Sequence, residues 1–155
     1  MLILKFDLAF KYDYKNEYSL LKSKNLQLCK YRFGDVFEIP DKQKSHCTNE
    51  SIQGANYPLI GAAKTNNGIV GYLNTYDYEN CFTLAKNGNG ACGYIFYHNH
   101  KFNRTTDVYI MNLKQKISDI NINCKLISLQ LHTIFNHQNK INKEIIKDSE
   151  IYLYV

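Results

Sequence analysis

Hydrophobic residues occur in short runs through the middle of this chain, and polar residues, Asn and Gly above all, separate the runs. Runs of four to eight apolar and β-branched residues bounded by turn-forming residues are typical of β-strands. We therefore predict strands over residues 57–62, 69–73, 81–85, 91–97 and 107–113, and a last short strand over 151–155.

Two Asn-Gly turns connect the predicted strands. Asn67-Gly68 follows the strand over 57–62, and Asn87-Gly88-Asn89-Gly90 follows the strand over 81–85. Asn-Gly between apolar runs is a strong hairpin signal because both turn residues must adopt positive φ. The sequence therefore predicts two hairpins whose tips carry polar side chains.

The hydrophobic period changes in the last third of the chain. Apolar residues at helical spacing predict an amphipathic helix over residues 119–137; they are Ile117, Ile120, Leu126, Ile127, Leu131, Ile134 and Phe135. The predicted fold class is α/β, more closely α+β: a β-rich domain with hairpins and a C-terminal amphipathic helix. At 155 residues the chain fits one domain, which we place over 31–155. Residues 1–30, with a helical segment over 16–24, form an extension packed on it.

Composition and charge favour an intracellular protein with a polyanionic partner. The net charge is +5, and its basic residues are scattered, so any contact must come from residues that folding brings together. The five cysteines are far apart, and no pair has the spacing of a zinc ribbon. No apolar run approaches the roughly 20 residues that span a bilayer. We expect a cytoplasmic protein that binds neither membrane nor metal.

Three enzyme classes are disfavoured. His98-Asn99-His100 spells the name of a nuclease family, but neighbours on a strand face opposite sides and cannot all bind one metal ion. A DNA adenine methyltransferase needs an Asn/Asp-Pro-Pro-aromatic tetrad, whereas the two prolines, Pro40 and Pro58, are not adjacent. The acidic pattern of a magnesium-dependent nuclease is missing too. We expect no catalytic activity and no cofactor.

Polar residues of the predicted loops suit contact with nucleic acid. We predict that Lys64, Lys86 and Lys101 contact the phosphate backbone. We predict that a second group reaches or flanks base edges, since Asn and Arg make the bidentate hydrogen bonds that distinguish bases; it comprises Asn66, Asn67, Asn89 and Arg104. We assign Lys101 and Arg104 to a polar loop that includes His98–His100. Polar loops that simply face water are the alternative explanation.

Several segments in the same order resemble one known family. Residues 33–39 read FGDVFEI, 57–72 read YPLIGAAKTNNGIVGY, 82–90 read FTLAKNGNG and 93–97 read GYIFY, and 101–102 with 106–109 read KF and TDVY. This series is similar to the target-recognition domain of specificity subunits from type I restriction–modification systems and their fused type II relatives.

The resemblance implies a domain that reads one half of a bipartite target in the major groove of double-stranded DNA. It also implies methyltransferase subunits as partners, and two such domains on a helical spacer. This chain has one predicted domain and no long spacer helix. A half-subunit that forms a homodimer, a detached domain, and a protein-interaction or inhibitory decoy that retains the fold therefore remain open.

Overall fold

The computed structural model describes residues 26–88, 90–136 and 138–155 of the chain. Within these residues the chain forms eight strands, which are β1 Leu28–Arg32, β2 Phe37–Glu38, β3 Tyr57–Ile60, β4 Ile69–Leu73, β5 Tyr78–Ala85, β6 Ile95–Arg104, β7 Val108–Leu113 and β8 Glu150–Tyr154. The α-helices of the same ranges are α1 Phe33–Val36, α2 Ile120–Ile134 and α3 Lys143–Ile146, and short 3-10 helices lie at Thr48–Glu50 and Asn66–Gly68. This strand-rich mixture with one long helix confirms the predicted fold class.

Six strands form one sheet in the order β2-β7-β5-β6-β3-β4. Its neighbours are antiparallel except β3 and β6, which run parallel with Leu59 opposite Asn103. The β3–β4 and β5–β6 pairs are the two predicted hairpins, which the structure confirms. A separate two-stranded sheet pairs β1 with β8.

The strand registers require the six-stranded sheet to coil, because Phe102 near the end of β6 pairs with Tyr78 at one end of β5, while Val108 at the start of β7 pairs with Ala85 at the other end. Arg104, the last residue of β6, donates through Nη1 to the carbonyl of Val108, the first residue of β7, at 2.7 Å. Ile60, Cys81, Phe102 and Ile110, from four different strands, form a small apolar cluster. The connections that follow β3, β5 and β6 therefore lie together: the Thr105 amide donates to the Ile60 carbonyl at 2.8 Å, and the Lys86 amide donates to the Asp107 carbonyl at 3.0 Å.

Helix α2 closes the main core by packing against β6 and β8. Its Ile127 and Leu131 lie with Phe82, Leu84 and Met111 of the sheet in the largest buried cluster. Burial of a side chain of this size contributes about 1.5–3 kcal/mol. In the described part of the chain, no helix has the length and apolar character needed to cross a membrane.

The predicted helix over 119–137 is shorter in the structure. Asp119 is its N-cap and accepts a hydrogen bond from the Ile122 amide at 3.2 Å. The helix ends at Ile134 because Phe135 adopts extended backbone, with φ −110° and ψ 145°. The Phe135 side chain remains buried in the core.

The strand predicted over 91–97 is displaced along the chain. Strand β6 begins at Ile95 and continues to Arg104, so the prediction of a polar loop that includes His98–His100 and Arg104 is wrong. Residues 91–93 belong to the connection after β5. There Gly93 has φ +95°, and a Cβ on it would lie 2.7 Å from the His132 amide nitrogen of α2. Only glycine allows this approach.

The N-terminal predictions fall largely outside the described residues. The helical segment over 16–24 lies there, as does most of the extension over 1–30. Strand β1 crosses the boundary placed at residue 31 and pairs with β8 through Leu28–Tyr154 to Arg32–Glu150. The division into an extension and a domain over 31–155 stays a prediction.

Candidate nucleic-acid interface

The loop over 61–68, which connects β3 and β4, has an unusual run of left-handed backbone. Asn66, Asn67 and Gly68 have φ values of 52°, 53° and 79°, which confirms the positive φ predicted for Asn67-Gly68. The Gly61 amide donates to the Gly68 carbonyl at 2.9 Å, and the Gly68 amide donates to the Thr65 carbonyl at 3.0 Å. These bonds hold a compact loop.

Residues 64–67, at the tip of this loop, are exposed. A Cβ on Gly68 would lie 3.0 Å from Cγ2 of Ile60, so the base of the loop is packed on the sheet while its tip faces outward. The predicted contact residues Lys64, Asn66 and Asn67 are therefore presented together.

The connection over 86–94, which follows β5, lies beside the loop over 61–68. A Cβ on Gly88 would lie 2.8 Å from Cβ of Ala62, and one on Gly90 would lie 3.9 Å from Nζ of Lys64. The two polar hairpin tips therefore form one surface, hereafter the paired-tip surface, made of residues 62–67, 86–88 and 90. Asn89 falls outside the described residues, and its predicted base contact stays a prediction.

Lys86 stands at the edge of the paired-tip surface. Its amide donates to the Asp107 carbonyl at 3.0 Å, and its Nζ lies 4.6 Å from the centre of the Tyr109 ring. Burial lowers the pKa of Lys86, the charge of Arg104 lowers it further, and Asp107 opposes both. Lys86 therefore lies between the paired tips and the turn after β6.

Arg104 is turned into the protein. Its exposure is 8%, and the guanidinium donates to four backbone carbonyls, those of Gln43, Lys44, Thr105 and Val108. These bonds compensate for burial of the charge. They also clamp the segment over 43–44 onto the turn after β6, so Arg104 takes a structural position and does not line the paired-tip surface.

Lys101 is exposed but lies away from the paired tips. The parallel register of β3 and β6 sets Ile60 opposite Arg104, so Lys101 is level with Tyr57, at the start of β3. Four strand positions, about 13 Å, separate that level from the loop that follows β3. Nζ of Lys101 lies 4.7 Å from the centre of the Tyr76 ring, which in turn lies 5.2 Å from the Tyr57 ring.

The three lysines predicted to meet phosphate belong, with Lys42, Lys116 and Lys140, to the lysines that form no ion pair among the described residues. Within residues 26–88, 90–136 and 138–155, none of Lys64, Lys86 and Lys101 forms an ion pair with a carboxylate. Elsewhere in those ranges, several basic residues are neutralised in pairs, which are Lys30–Glu150, Arg32–Asp148, Lys44–Asp77, Lys143–Asp41 and Lys147–Glu144. Lys64 and Lys86 of the paired-tip surface are therefore not held in ion pairs within the described residues, although Asp107 lies close enough to Lys86 to raise its pKa.

The sequence interpretation missed what lies beneath the loop over 61–68. His98 of β6 is fully buried, with Thr83 on one side of its ring and Asn67 on the other. His100 is close, with ring centroids 5.4 Å apart. No group of His, Cys, Asp and Glu side chains in the described residues could hold a metal ion. Burial alternates with exposure over 98–102 in the structure, but the run of polar residues from His98 to Lys101 hides this alternation in the sequence.

Comparisons with known proteins agree on one family. Residues 27–153 match the family described as the type I restriction modification DNA specificity domain. Two proteins of Mycoplasma pneumoniae named as type I specificity subunits are similar: S.MpnORF507P is 30% identical over 130 residues, and S.MpnORF285P is 26% identical over 146 residues. These matches cover 79% and 90% of this chain but 34% and 47% of the relatives. The chain thus spans between a third and a half of their length.

Two solved structures share the fold. The type I restriction–modification S subunit from M. genitalium superposes with a TM-score of 0.62 at 14% identity, over 92% of this chain and 39% of that one. The HsdS subunit from Thermoanaerobacter tengcongensis gives 0.55 at 10% identity, over 97% and 42%. The family match extends over most of the described residues, and the resemblance found in the sequence is confirmed: this chain belongs to the family of type I restriction–modification DNA specificity domains.

Proposed function

We propose that this chain binds double-stranded DNA in a sequence-specific manner through its paired-tip surface and has no catalytic activity of its own. The observation that carries the proposal is the contact between the two hairpin tips at Ala62–Gly88, with Lys64 beside Gly90. This contact joins two separate runs of polar sequence into one surface that carries Lys64 and Lys86 and lies on the six-stranded sheet.

The two chemistries of DNA recognition are both present on that surface. Lys64 and Lys86 supply cations for the phosphate backbone, which fix the register of a protein on the duplex. The Asn66 side chain is exposed on left-handed backbone, and an Asn amide makes a bidentate pair with adenine in the major groove worth about 1–3 kcal/mol of discrimination. Lys101, whose Nζ lies over the Tyr76 ring, is exposed and provides a phosphate contact at a distance from the paired-tip surface. Arg104 is left out because its donors are used internally.

The length of the chain bears on how it works. It spans between a third and a half of the type I specificity subunits it resembles. We propose that it supplies one reading unit of such a specificity subunit, and that a methyltransferase subunit and a second reading unit, in this protein or in another copy, complete the assembly.

Binding selection from a random duplex library tests the proposal. Performed at two salt concentrations, it should yield one enriched sequence whose enrichment persists at the higher salt, because base contacts are less salt-sensitive than phosphate contacts. Uniform recovery of all sequences at low salt, or no recovery, would contradict sequence reading. No recovery together with a stable protein complex would instead support the decoy. Cleavage of the duplex that EDTA abolishes would contradict the absence of catalysis.

A further inference from the structure

Beneath the paired-tip surface, one buried side chain connects the loop over 61–68 to the centre of the sheet. His98 has 0% exposure. Its Nε2 lies 2.8 Å from Oγ1 of Thr83 on β5, and its Nδ1 lies 3.2 Å from Nδ2 of Asn67 in the loop. No other side chain of the described residues is hydrogen-bonded to the amide of Asn67 or to the ring of His98.

The hydrogen-bond roles in this chain of contacts follow from the groups themselves. A neutral imidazole has one donor and one acceptor nitrogen, and an amide Nδ2 can only donate. Nδ1 of His98 therefore accepts from Asn67, and Nε2 carries the proton and donates to Thr83. A protonated ring would place a donor against the donor of Asn67. Burial, with a smaller contribution from His100, lowers the pKa of His98 to about 3, which keeps the ring neutral at physiological pH.

The loop needs such an anchor. Three consecutive residues, Asn66, Asn67 and Gly68, have left-handed backbone, and for a residue with a Cβ this conformation costs roughly 1–2 kcal/mol. Strained backbone of this kind persists only where its surroundings hold it in place. Of the exposed tip residues 64–67, Asn67 is the one whose side chain is hydrogen-bonded to a strand residue within the described part of the chain.

We propose that His98 is a positioning residue for DNA sequence recognition: by accepting from Asn67 it fixes the left-handed tip and so holds the Asn66 amide in one orientation toward the base edges. This inference rests on the proposed function. It assigns to Asn67 the role of connecting the tip to His98, and it leaves direct base contact to Asn66.

Three variants separate positioning from general stability. His98→Phe removes both hydrogen bonds, and His98→Gln restores an acceptor for Asn67. The matched control is Thr83→Val, which removes the partner of the other ring nitrogen and leaves the Asn67 contact in place. Each is compared for backbone amide exchange at 64–68 in the free protein, for preference between the selected duplex and a scrambled one, and for salt dependence of binding.

We expect the His98 variants to change the preference for the selected over the scrambled duplex without changing the salt-dependent part of the affinity. His98→Phe should lower the preference for the selected duplex at least tenfold and speed exchange at 64–68, with the salt dependence unchanged. His98→Gln should recover part of the preference, and Thr83→Val should keep it. If His98→Phe fails to fold, Asn67→Gly replaces it, since glycine keeps positive φ without strain; it should speed the same exchange.

Two results would overturn the inference. The first is a His98→Phe or Asn67→Gly protein with wild-type exchange at 64–68. The second is a wild-type His98 whose proton is on Nδ1 in long-range ¹⁵N spectra. A wild-type chain that selects no duplex would contradict the proposed function and remove the recognition role, whereas the exchange and tautomer measurements, made without DNA, would still decide whether His98 holds the tip.

Discussion

The side-chain amide of Gln130 on α2 pairs with the backbone of Tyr152 on β8 as a neighbouring strand would. Oε1 of Gln130 accepts from the Tyr152 amide at 2.7 Å, and Nε2 donates to the Tyr152 carbonyl at 2.7 Å. Asn123, two turns earlier on the helix, makes the same pair of bonds with Tyr154, at 2.7 and 3.0 Å. The helix thereby satisfies the edge of β8 that β1 does not cover.

Replacing Gln130 with Leu tests this attachment. The change removes both side-chain hydrogen bonds to the half-buried backbone of Tyr152, and we expect the free energy of unfolding to fall by about 2–4 kcal/mol. Urea denaturation measures the loss. The control is Gln138→Leu at an exposed position, which should change stability by less than about 0.5 kcal/mol. Equal effects at both positions would show that the amide pairing is not what holds the helix.

Arg104 offers a second test, because the structure gives it a role other than the predicted base contact. Arg104→Met keeps much of the apolar stem but leaves four carbonyl groups without their donor. We expect a loss of about 2–4 kcal/mol and faster amide exchange over 43–46. Lys101→Met, at an exposed position on the same strand, is the control and should be nearly neutral. A stable Arg104→Met protein with weakened DNA preference would restore Arg104 as a contact residue.

The hairpin tips could be predicted from the sequence, whereas the full extent of strand β6 could not. Hairpin tips could be predicted because Asn-Gly carries its backbone requirement locally, as Asn67-Gly68 shows. Strand β6 was missed because polar residues occupy buried positions: the partners of His98 and Arg104 come from Thr83 and Lys44, distant in sequence. Neither the convergence of the two tips nor the inward turn of Arg104 has a local signal, since both depend on how the sheet coils.

Three glycines with similar backbone but different surroundings allow strain to be separated from packing. Gly54, Gly68 and Gly93 have φ of +81°, +79° and +95°. A Cβ on Gly54 meets nothing within 4 Å, one on Gly68 lies 3.0 Å from the Ile60 side chain, and one on Gly93 lies 2.7 Å from the backbone of His132. Substitution by Ala should therefore become more costly in this order.

Gly54→Ala should lower the free energy of unfolding by about 1 kcal/mol, which is the penalty for placing a Cβ on left-handed backbone alone. Gly68→Ala should lower it more, since the Ile60 side chain must shift. Gly93→Ala should lower it most, because the new Cβ meets the backbone of α2, which cannot move as easily as a side chain. Thermal unfolding ranks the three. A Gly93→Ala protein as stable as Gly54→Ala would contradict the close approach of α2 to the connection after β5.

The buried His98 predicts a pH dependence of stability. Its pKa is lowered from 6.5 to about 3 in the folded protein, so below pH 6.5 the unfolded chain takes up a proton that the folded protein does not. The contribution of neutral His98 to the free energy of unfolding is therefore complete above pH 6.5 and is lost as the pH falls toward 3. Between pH 7 and pH 5 the expected loss is about 2 kcal/mol.

Comparison with His98→Gln isolates this contribution, because glutamine does not titrate. The difference in unfolding free energy between the wild type and His98→Gln should shrink by that amount between pH 7 and pH 5. Parallel curves for the two proteins would mean that His98 is not kept neutral by burial.

The salt dependence of duplex binding tests the paired-tip surface most directly. Measured for the wild type, Lys64→Ala, Lys86→Ala and Lys30→Ala, it compares two lysines of the surface with one that pairs with Glu150 on the separate two-stranded sheet. The negative slope of log affinity against log salt should become shallower by about 0.9 for each of Lys64→Ala and Lys86→Ala and stay unchanged for Lys30→Ala. Wild-type slopes for both paired-tip variants, or an equally shallower slope for Lys30→Ala, would contradict DNA binding at this surface.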